Sequence, residues 1–244
     1  MKFCTTPKPS SYIRIMTQQN IKLAVDAVVF GYQHARVHVL LIKQRFGQAK
    51  GQWALPGGFV KDDEGLSEAV HRELTEETGI KINYLEQLYT FGDQLERDPR
   101  ARVVSVSYYA LVNSERFSLQ ASTDAQEAQW FDIYDLPDLA YDHDAILACA
   151  LERLRSKVKY QPIGFNLLSA TFPFSDLENL YTAILDREID RRNFRKKMLS
   201  FGMLEETAEL LKTGSGRPAK LFRFNQPKYQ ALMEEGFHFE IKFA

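Results

Sequence analysis

The 244-residue chain has few cysteines, no long apolar run and almost no net charge. Cys4 and Cys149 are its only cysteines and lie far apart, without neighbouring Cys or His at zinc-ligand spacing, which excludes a disulfide scaffold and a structural zinc site. Residues 1–19 carry charges and prolines where a secretory signal would be apolar, and no segment reaches transmembrane length. These absences predict a reduced, cytoplasmic protein without a membrane partner.

The small net charge of −1 hides a difference between the two halves of the chain. Residues 1–156 contain 17 Lys and Arg against 21 Asp and Glu, whereas residues 157–244 contain 14 against 11. An acidic first half and a basic second half predict different partners for the two.

An acidic motif in the first half has strict spacing. Residues 58–80 read GFVKDDEGLSEAVHRELTEETGI, and a helix here places Glu73, Glu76 and Glu77 on one stripe. Like charges at this spacing repel each other unless a hard cation neutralises them, which predicts Mg²⁺ or Mn²⁺. The alternative is an acidic helix face that is simply exposed to solvent. Nine residues of the segment occupy the fixed positions of one defined motif, which argues against this alternative: Gly58, Glu64, Arg72, Glu73, Leu74, Glu76, Glu77, Gly79 and Ile80.

This motif resembles the Nudix box, whose superfamily binds, and usually hydrolyses, a nucleoside diphosphate linked to another group. The resemblance implies metal binding by the three glutamates and, if the protein is hydrolytic, catalysis by Glu76 and Glu77. Arg72 and Glu64 occupy the remaining charged positions of the box, and the resemblance implies supporting roles for both. The residues expected around a bound effector are Gly57, Gly58, Arg72 and Glu73.

The rest of the first half reads as a mixed sheet with flanking helices. A polar loop over residues 92–102 is expected near the ligand. A helix is expected from Asp142, its cap, to Val158. A turn that starts at Gly31 and Tyr32 is expected to join the first two strands. The expected strands are Ile21–Phe30, Val37–Ile42, Tyr84–Phe91, Val103–Val112 and Trp130–Tyr134.

Prolines and a glycine in residues 159–173 interrupt the helical periodicity and predict a domain boundary. We therefore expect a lead-in over residues 1–19, a Nudix domain over 20–158, and a linker with a winged helix domain over 159–244. The predicted fold class is α+β, with an α/β/α mixed-sheet Nudix domain followed by a winged helix-turn-helix.

The second half has the element order of a winged helix. One helix follows a capping box of Ser175 and Glu178, and a second covers the sequence DRRNFRKKMLSFG. A hairpin of Met203–Leu211 and Ala219–Phe224 then forms the wing. From Arg187 to Arg223 there are ten Lys and Arg against five Asp and Glu. This pattern predicts DNA binding, with a simply solvated basic face as the alternative.

The whole chain resembles the Nudix-related transcriptional regulators of NAD metabolism, most specifically in PIGFNLL, LDREIDRRNFRKKMLSFGMLEET and GRPAKLFRF. The resemblance implies a homodimer that represses NAD synthesis or salvage genes at a palindromic operator and is released by ADP-ribose. The residues expected at the DNA are Arg191, Arg192, Asn193, Arg195, Lys196, Arg217 and Lys220.

Two other functions stay open. An ADP-ribose pyrophosphatase would use the intact carboxylates of the box with a bound divalent metal. A regulator of the same architecture could instead sense another sugar or sugar nucleotide, because one sequence does not identify the positions that select the ligand.

Overall fold

The computed structural model describes residues 20–82, 85–117, 119, 125–212, 218–236, 239 and 241. The predicted lead-in and Arg217 of the predicted wing lie outside these residues. Among the described helices, none is long and apolar enough to cross a bilayer. The strands are β1 (Lys22–Gln33), β2 (Arg36–Gln44), β3 (Trp53–Ala54), β4 (Gly57–Phe59), β5 (Glu86–Phe91), β6 (Val103–Leu111), β7 (Ala125–Asp132), β8 (Phe172–Pro173), β9 (Leu204–Leu211) and β10 (Ala219–Phe224). The helices are α1 (Leu66–Thr78), α2 (His143–Tyr160), α3 (Phe174–Leu185), α4 (Arg191–Ser200) and α5 (Gln226–Glu234).

The first half is a mixed sheet between two helices, as predicted. The sheet order is β3-β2-β1-β6-β5, with β4 also pairing with β1 and β7 with β2. Strands β1 and β6 are parallel, and the other pairs are antiparallel. Alternate residues of β1 point to opposite faces, so Val25 and Ala27 pack with α1, whereas Val28 and Phe30 pack on the side of α2. Burial on both faces explains the continuous apolar run of β1.

The turn between β1 and β2 lies later than the sequence suggests. It falls at His34 and Ala35, both with positive φ (49° and 59°), and not at Gly31 and Tyr32, which continue β1. A Cβ at Gly31 would lie 2.9 Å from the Trp130 ring, so the glycine makes room for an aromatic side chain and does not form the turn. Strand β7 also starts earlier than predicted, because the polar residues from Ala125 onward pair with β2.

The second half is a winged helix, also as predicted. Helices α3 and α4 precede a three-stranded sheet in the order β8-β10-β9, and β9 with β10 forms the wing. The predicted capping box was wrong, since α3 begins at Phe174 and Ser175 already lies in its first turn. Helix α4 is capped by Asp190, whose side chain accepts from the Asn193 amide at 3.0 Å. Helix α5 was not predicted from the sequence.

The two halves share one apolar core. Leu154 and Val158 of α2 are fully buried in the same cluster as Leu177, Tyr181 and Ile184 of α3. Two hydrogen bonds reinforce the junction, from Tyr181 Oη to the Ile163 carbonyl at 3.0 Å and from Gln161 Nε2 to Tyr229 Oη at 2.7 Å. The winged helix is therefore packed directly against the first half.

Candidate functional site

Helix α1 carries the charged residues of the predicted box. It begins after Gly65, whose amide donates to Glu68 Oε2 at 2.9 Å, and it ends at Gly79 in the left-handed conformation, with φ of 73°. Its apolar side, with Val70 and Leu74, packs on the sheet. This packing leaves Arg72 beside β4, where its guanidinium donates to the Phe59 carbonyl at 3.2 Å, and Glu73 and Glu76 bond to the same guanidinium.

Arg72 binds three carboxylates at once. Its guanidinium makes a bidentate contact with Glu64, at 2.5 and 2.8 Å, and donates to Glu73 at 2.6 Å and Glu76 at 3.3 Å. The Arg72 hydrogen bonds lower the pKa of the Glu64 carboxyl to about 2, while the same hydrogen bonds raise the pKa of Arg72. One positive charge facing three negative charges leaves the cluster anionic at neutral pH.

The two glycines before α1 pack tightly against the site. The Gly57 amide donates to the buried Glu77 carboxylate at 2.9 Å. A Cβ at Gly57 would lie 2.3 Å from the Val25 carbonyl oxygen, and one at Gly58 would lie 2.4 Å from Glu73 Oε1. Only glycine fits at these positions without displacing its neighbours.

The predicted metal ligands are not gathered around a common point. Glu73 and Glu76 both face Arg72, and Glu77 accepts from a backbone amide. Among the described residues, no group of three His, Cys, Asp or Glu side chains is arranged to hold an ion. Their carboxylate oxygens suit Mg²⁺ chemically, but this arrangement does not fit a bound ion, and metal binding stays a prediction.

Behind the glycines lies a buried polar network that no sequence motif indicated. His143, the first residue of α2, accepts from the Leu55 amide through Nδ1 at 2.9 Å, and its Nε2 lies 3.4 Å from Asp26 Oδ1. Ser105 Oγ donates to the other oxygen of Asp26. Burial lowers the pKa of His143, and the Asp26 carboxylate opposes this shift. The hydrogen bonds indicate a neutral imidazole with its proton on Nε2.

The loop of residues 92–102 supplies two arginines to the same place. Arg97, almost fully buried, makes a bidentate contact with Asp142 at 2.6 and 2.8 Å. Asp142 stands at the cap position of α2, as predicted, but its carboxylate binds Arg97 and does not cap the helix. Arg100 bonds to Asp98 and lies 4.9 Å from the Phe59 ring and 5.0 Å from the Tyr141 ring.

These groups surround a small cavity of about 70 Å³. Its lining includes Gly57, Gly58, Asp26, Arg100 and Tyr141. Guanidinium groups recognise phosphate oxygens, and aromatic faces stack on planar rings. The rim of the cavity therefore has the chemistry to contact a phosphorylated ligand that also contains a ring. At about 70 Å³ the cavity itself accommodates only part of such a ligand, since sites for whole ligands measure roughly 300–1,000 Å³.

The predicted DNA-binding residues fall into two groups. Arg191, Arg192 and Lys196 are exposed on α4. The other three described residues are partly engaged: the Asn193 amide bonds to Asp190, Arg195 lies 4.3 Å from the Phe174 ring, and Lys220 pairs with Glu206 at 2.6 Å.

Comparisons with known proteins agree with both halves. The NUDIX domain model matches residues 20–154, and the model of the NrtR DNA-binding winged helix domain matches residues 164–224. The chain is 35% identical over 221 residues to the ADPR responsive transcriptional repressor NtrR of Acinetobacter baylyi, covering 89% of this chain and 85% of that protein.

Two solved structures are also similar. The crystal structure of Shewanella oneidensis NrtR complexed with a 27mer DNA has 30% identity and a TM-score of 0.75, covering 90% of this chain and 99% of that chain. The NUDIX domain of the same protein complexed with ADP ribose has 36% identity and a TM-score of 0.52, covering 56% and 90%. Together these findings confirm the resemblance, and the chain belongs to the family of Nudix-related regulators in which a NUDIX domain is followed by an NrtR DNA-binding winged helix domain.

Proposed function

We propose that this protein is a transcriptional repressor of NAD synthesis or salvage genes that leaves its operator when ADP-ribose binds the first half. The proposal is supported by one observation: the first half, with its arginine-lined cavity, and the basic winged helix pack together in one continuous apolar core. The Acinetobacter relative is described as ADPR responsive, and the Shewanella relative has been crystallised with DNA and with ADP ribose.

The chemistry of ADP-ribose matches the groups around the pocket. Its diphosphate suits the half-exposed Arg100 of the 92–102 loop, and its adenine suits an aromatic face such as Tyr141. Of the predicted effector residues, Gly57 and Gly58 line the cavity, and Arg72 and Glu73 belong to the adjoining acidic cluster.

On the DNA side, α4 supplies the contacts to bases and phosphates and the wing supplies further phosphate contacts. We assign these contacts to Arg191, Arg192, Asn193, Arg195, Lys196 and Lys220, with Arg217 as a further wing residue. A homodimer would place two copies of α4 on the half-sites of a palindromic operator.

The direct test is a fluorescence anisotropy titration of a labelled fragment from upstream of an NAD-related operon, with and without saturating ADP-ribose. We expect tighter binding to this fragment than to a shuffled duplex, and weaker binding when ADP-ribose is present, because the effector favours the DNA-incompetent state. Equal affinity with and without ADP-ribose would refute the proposal. Arabinose and sugar nucleotides in parallel titrations test whether a different effector is read.

A second candidate function is ADP-ribose pyrophosphatase activity, which the complete set of box carboxylates favours. We derive no metal-dependent step, because Glu73 and Glu76 would first have to leave Arg72. The test measures AMP release from ADP-ribose by the wild type and by Glu77→Gln, each with Mg²⁺ or Mn²⁺. A higher rate in the wild type would support hydrolysis. Equal rates in the two proteins would eliminate hydrolysis as the main role.

A further inference from the structure

Helix α2 begins at the cavity that we propose as part of the effector site, since both Tyr141 and His143 line it. Its cap residue Asp142 is held by Arg97, and its first residue His143 is held by the Leu55 amide, two residues before Gly57. Tyr141, which precedes the cap, has a positive φ of 59°, and its side chain lines the cavity. A non-glycine residue adopts this conformation only where its surroundings enforce it. The start of α2 is therefore positioned by the groups that a ligand would contact.

The other end of α2 reaches the winged helix. Arg155 Nε donates to the Ile184 carbonyl at 3.0 Å, and another nitrogen of the same guanidinium donates to Tyr134 Oη at 2.8 Å. Ile184 lies in the last turn of α3, where carbonyls have no partner within the helix. Asp186 caps α3 in the left-handed conformation and lies 3.9 Å from Arg155. Arg155 thus bonds to the end of α3.

Only residues 186–190 separate α3 from α4. Phe194 of α4 also packs against Tyr181 of α3, with ring centroids 4.9 Å apart, so a displacement of α3 moves α4 with it. Helix α2 has 18 residues, and at about 1.5 Å per residue it spans roughly 27 Å, enough to connect the pocket to this turn as one rigid body.

We propose that α2 transmits effector binding to the DNA-binding half, and that Arg155 is the positioning residue that passes its displacement to the turn between α3 and α4. This inference rests on the proposed function, since it specifies how ADP-ribose binding in the same pocket is transmitted to the winged helix. Ligand contact near Tyr141 and Arg97 shifts the start of α2, and Arg155 carries this shift to the Ile184 carbonyl. Helix α4 then loses the orientation that fits DNA.

The test compares Arg155→Met with Arg153→Met in the full chain. Both substitutions remove a guanidinium from α2, but among the described residues Arg153 bonds within the first half, to the Leu88 carbonyl at 3.2 Å. The measured quantity is the ratio of the DNA dissociation constants with and without saturating ADP-ribose. We expect Arg155→Met to reduce this ratio by at least about five-fold, the lower range of allosteric coupling, and to leave the ADP-ribose Kd without DNA within about two-fold.

Arg153→Met is expected to keep the wild-type ratio. Amide hydrogen exchange provides a second readout: ADP-ribose should change the protection of residues 186–192 in the wild type and not in Arg155→Met. Should Arg155→Met fail to fold, Arg155→Lys replaces it in the test. Lysine keeps the positive charge but lacks the planar guanidinium that donates to both the Ile184 carbonyl oxygen and Tyr134 Oη. An unchanged ratio in the folded Arg155 variant overturns the inference, whereas a wild-type ratio of one refutes the proposed function itself.

Discussion

At the scale of single residues, His143 joins two parts of the site that are distant in sequence. It is buried between the Leu55 amide and the Asp26 carboxylate, and burial lowers its pKa from the ordinary value of 6.5. The folded protein therefore resists protonation of this imidazole. An unfolded chain has no such constraint, so the stability of the fold must depend on pH.

We predict that the free energy of unfolding falls as the pH drops below about 6.5, because the unfolded chain then binds a proton that folded His143 does not. This loss continues until the pH reaches the lowered pKa of the folded state. His143→Asn should have a shallower dependence, since the amide oxygen of Asn can accept from Leu55 and does not titrate. Urea unfolding between about pH 7 and 5.5 measures the difference, which approaches about 1.4 kcal/mol per pH unit. Parallel curves for the two proteins would contradict this role.

The sequence identifies residues of this site only where they are close along the chain. The box motif identifies Arg72, Glu73, Glu76 and Glu77, because helical spacing places them together. Neither the partnership of His143 with Leu55 nor that of Arg97 with Asp142 leaves a local signal, since these partners are 88 and 45 residues apart. Only the folded sheet and its loops bring them into contact.

At the scale of the element, α4 determines how the basic charge of the second half is presented. Phe194 and Met198 bury one side of the helix, which leaves Arg192 and Lys196 exposed one turn apart. Arg195 differs from these two, because its guanidinium lies over the Phe174 and Phe222 rings. The helix thus combines exposed cations with one cation that also packs against the winged helix.

We predict that Arg192→Ala and Lys196→Ala each weaken operator binding and reduce the slope of log affinity against log salt by about one for each phosphate that the variant no longer binds. Their thermal midpoints should stay near that of the wild type. Anisotropy titrations at several salt concentrations measure both affinity and slope. Lys228→Ala is the matched control, since it removes one exposed positive charge from α5. Equal slopes for all three variants would show that α4 does not contact the DNA backbone.

The long periodic elements were predictable, whereas weakly patterned ones were not. The apolar runs of β1 and α2 and the basic helix α4 stand close to their predicted positions. The early part of strand β7 includes the exposed polar residues Gln126, Glu127 and Gln129, and the strand forms because it pairs with β2. Helix α5 has a weak apolar side, on which Tyr229 is buried. Its N-terminus is capped locally by the Asn225 side chain, which accepts a hydrogen bond from the Lys228 amide. Tertiary pairing determines such segments more than their own pattern.

At the scale of the whole molecule, the two halves are joined by a core and not only by a chain. The sequence predicted a boundary from prolines and glycine, and these do end the periodicity of α2 near Tyr160. It could not show that Leu154 and Val158 pack against α3, because an apolar stripe does not identify its partner. The shared core predicts that the halves unfold together.

We predict that Leu154→Ala, at a fully buried position, lowers the free energy of unfolding by about 2–5 kcal/mol through reduced apolar burial and a residual cavity. Peptides from β1 and α4 should lose hydrogen-exchange protection at the same urea concentration in both the variant and the wild type. Leu210→Ala is the control, because Leu210 is 56% exposed and its replacement should change stability by about 0.5 kcal/mol or less. Separate midpoints for the two peptides would indicate independent domains.

The position of the two tryptophans gives the molecule a natural optical reporter. Trp53 and Trp130 are the only tryptophans of the chain, and both stand in strands of the first half. Trp53 lies two residues before Leu55, whose amide binds His143. Intrinsic emission therefore reports on the first half, which contains the proposed effector site, while a dye on the duplex reports on DNA binding by the winged helix. Recording tryptophan emission and dye emission from the same sample can then show whether the first half or the winged helix responds first.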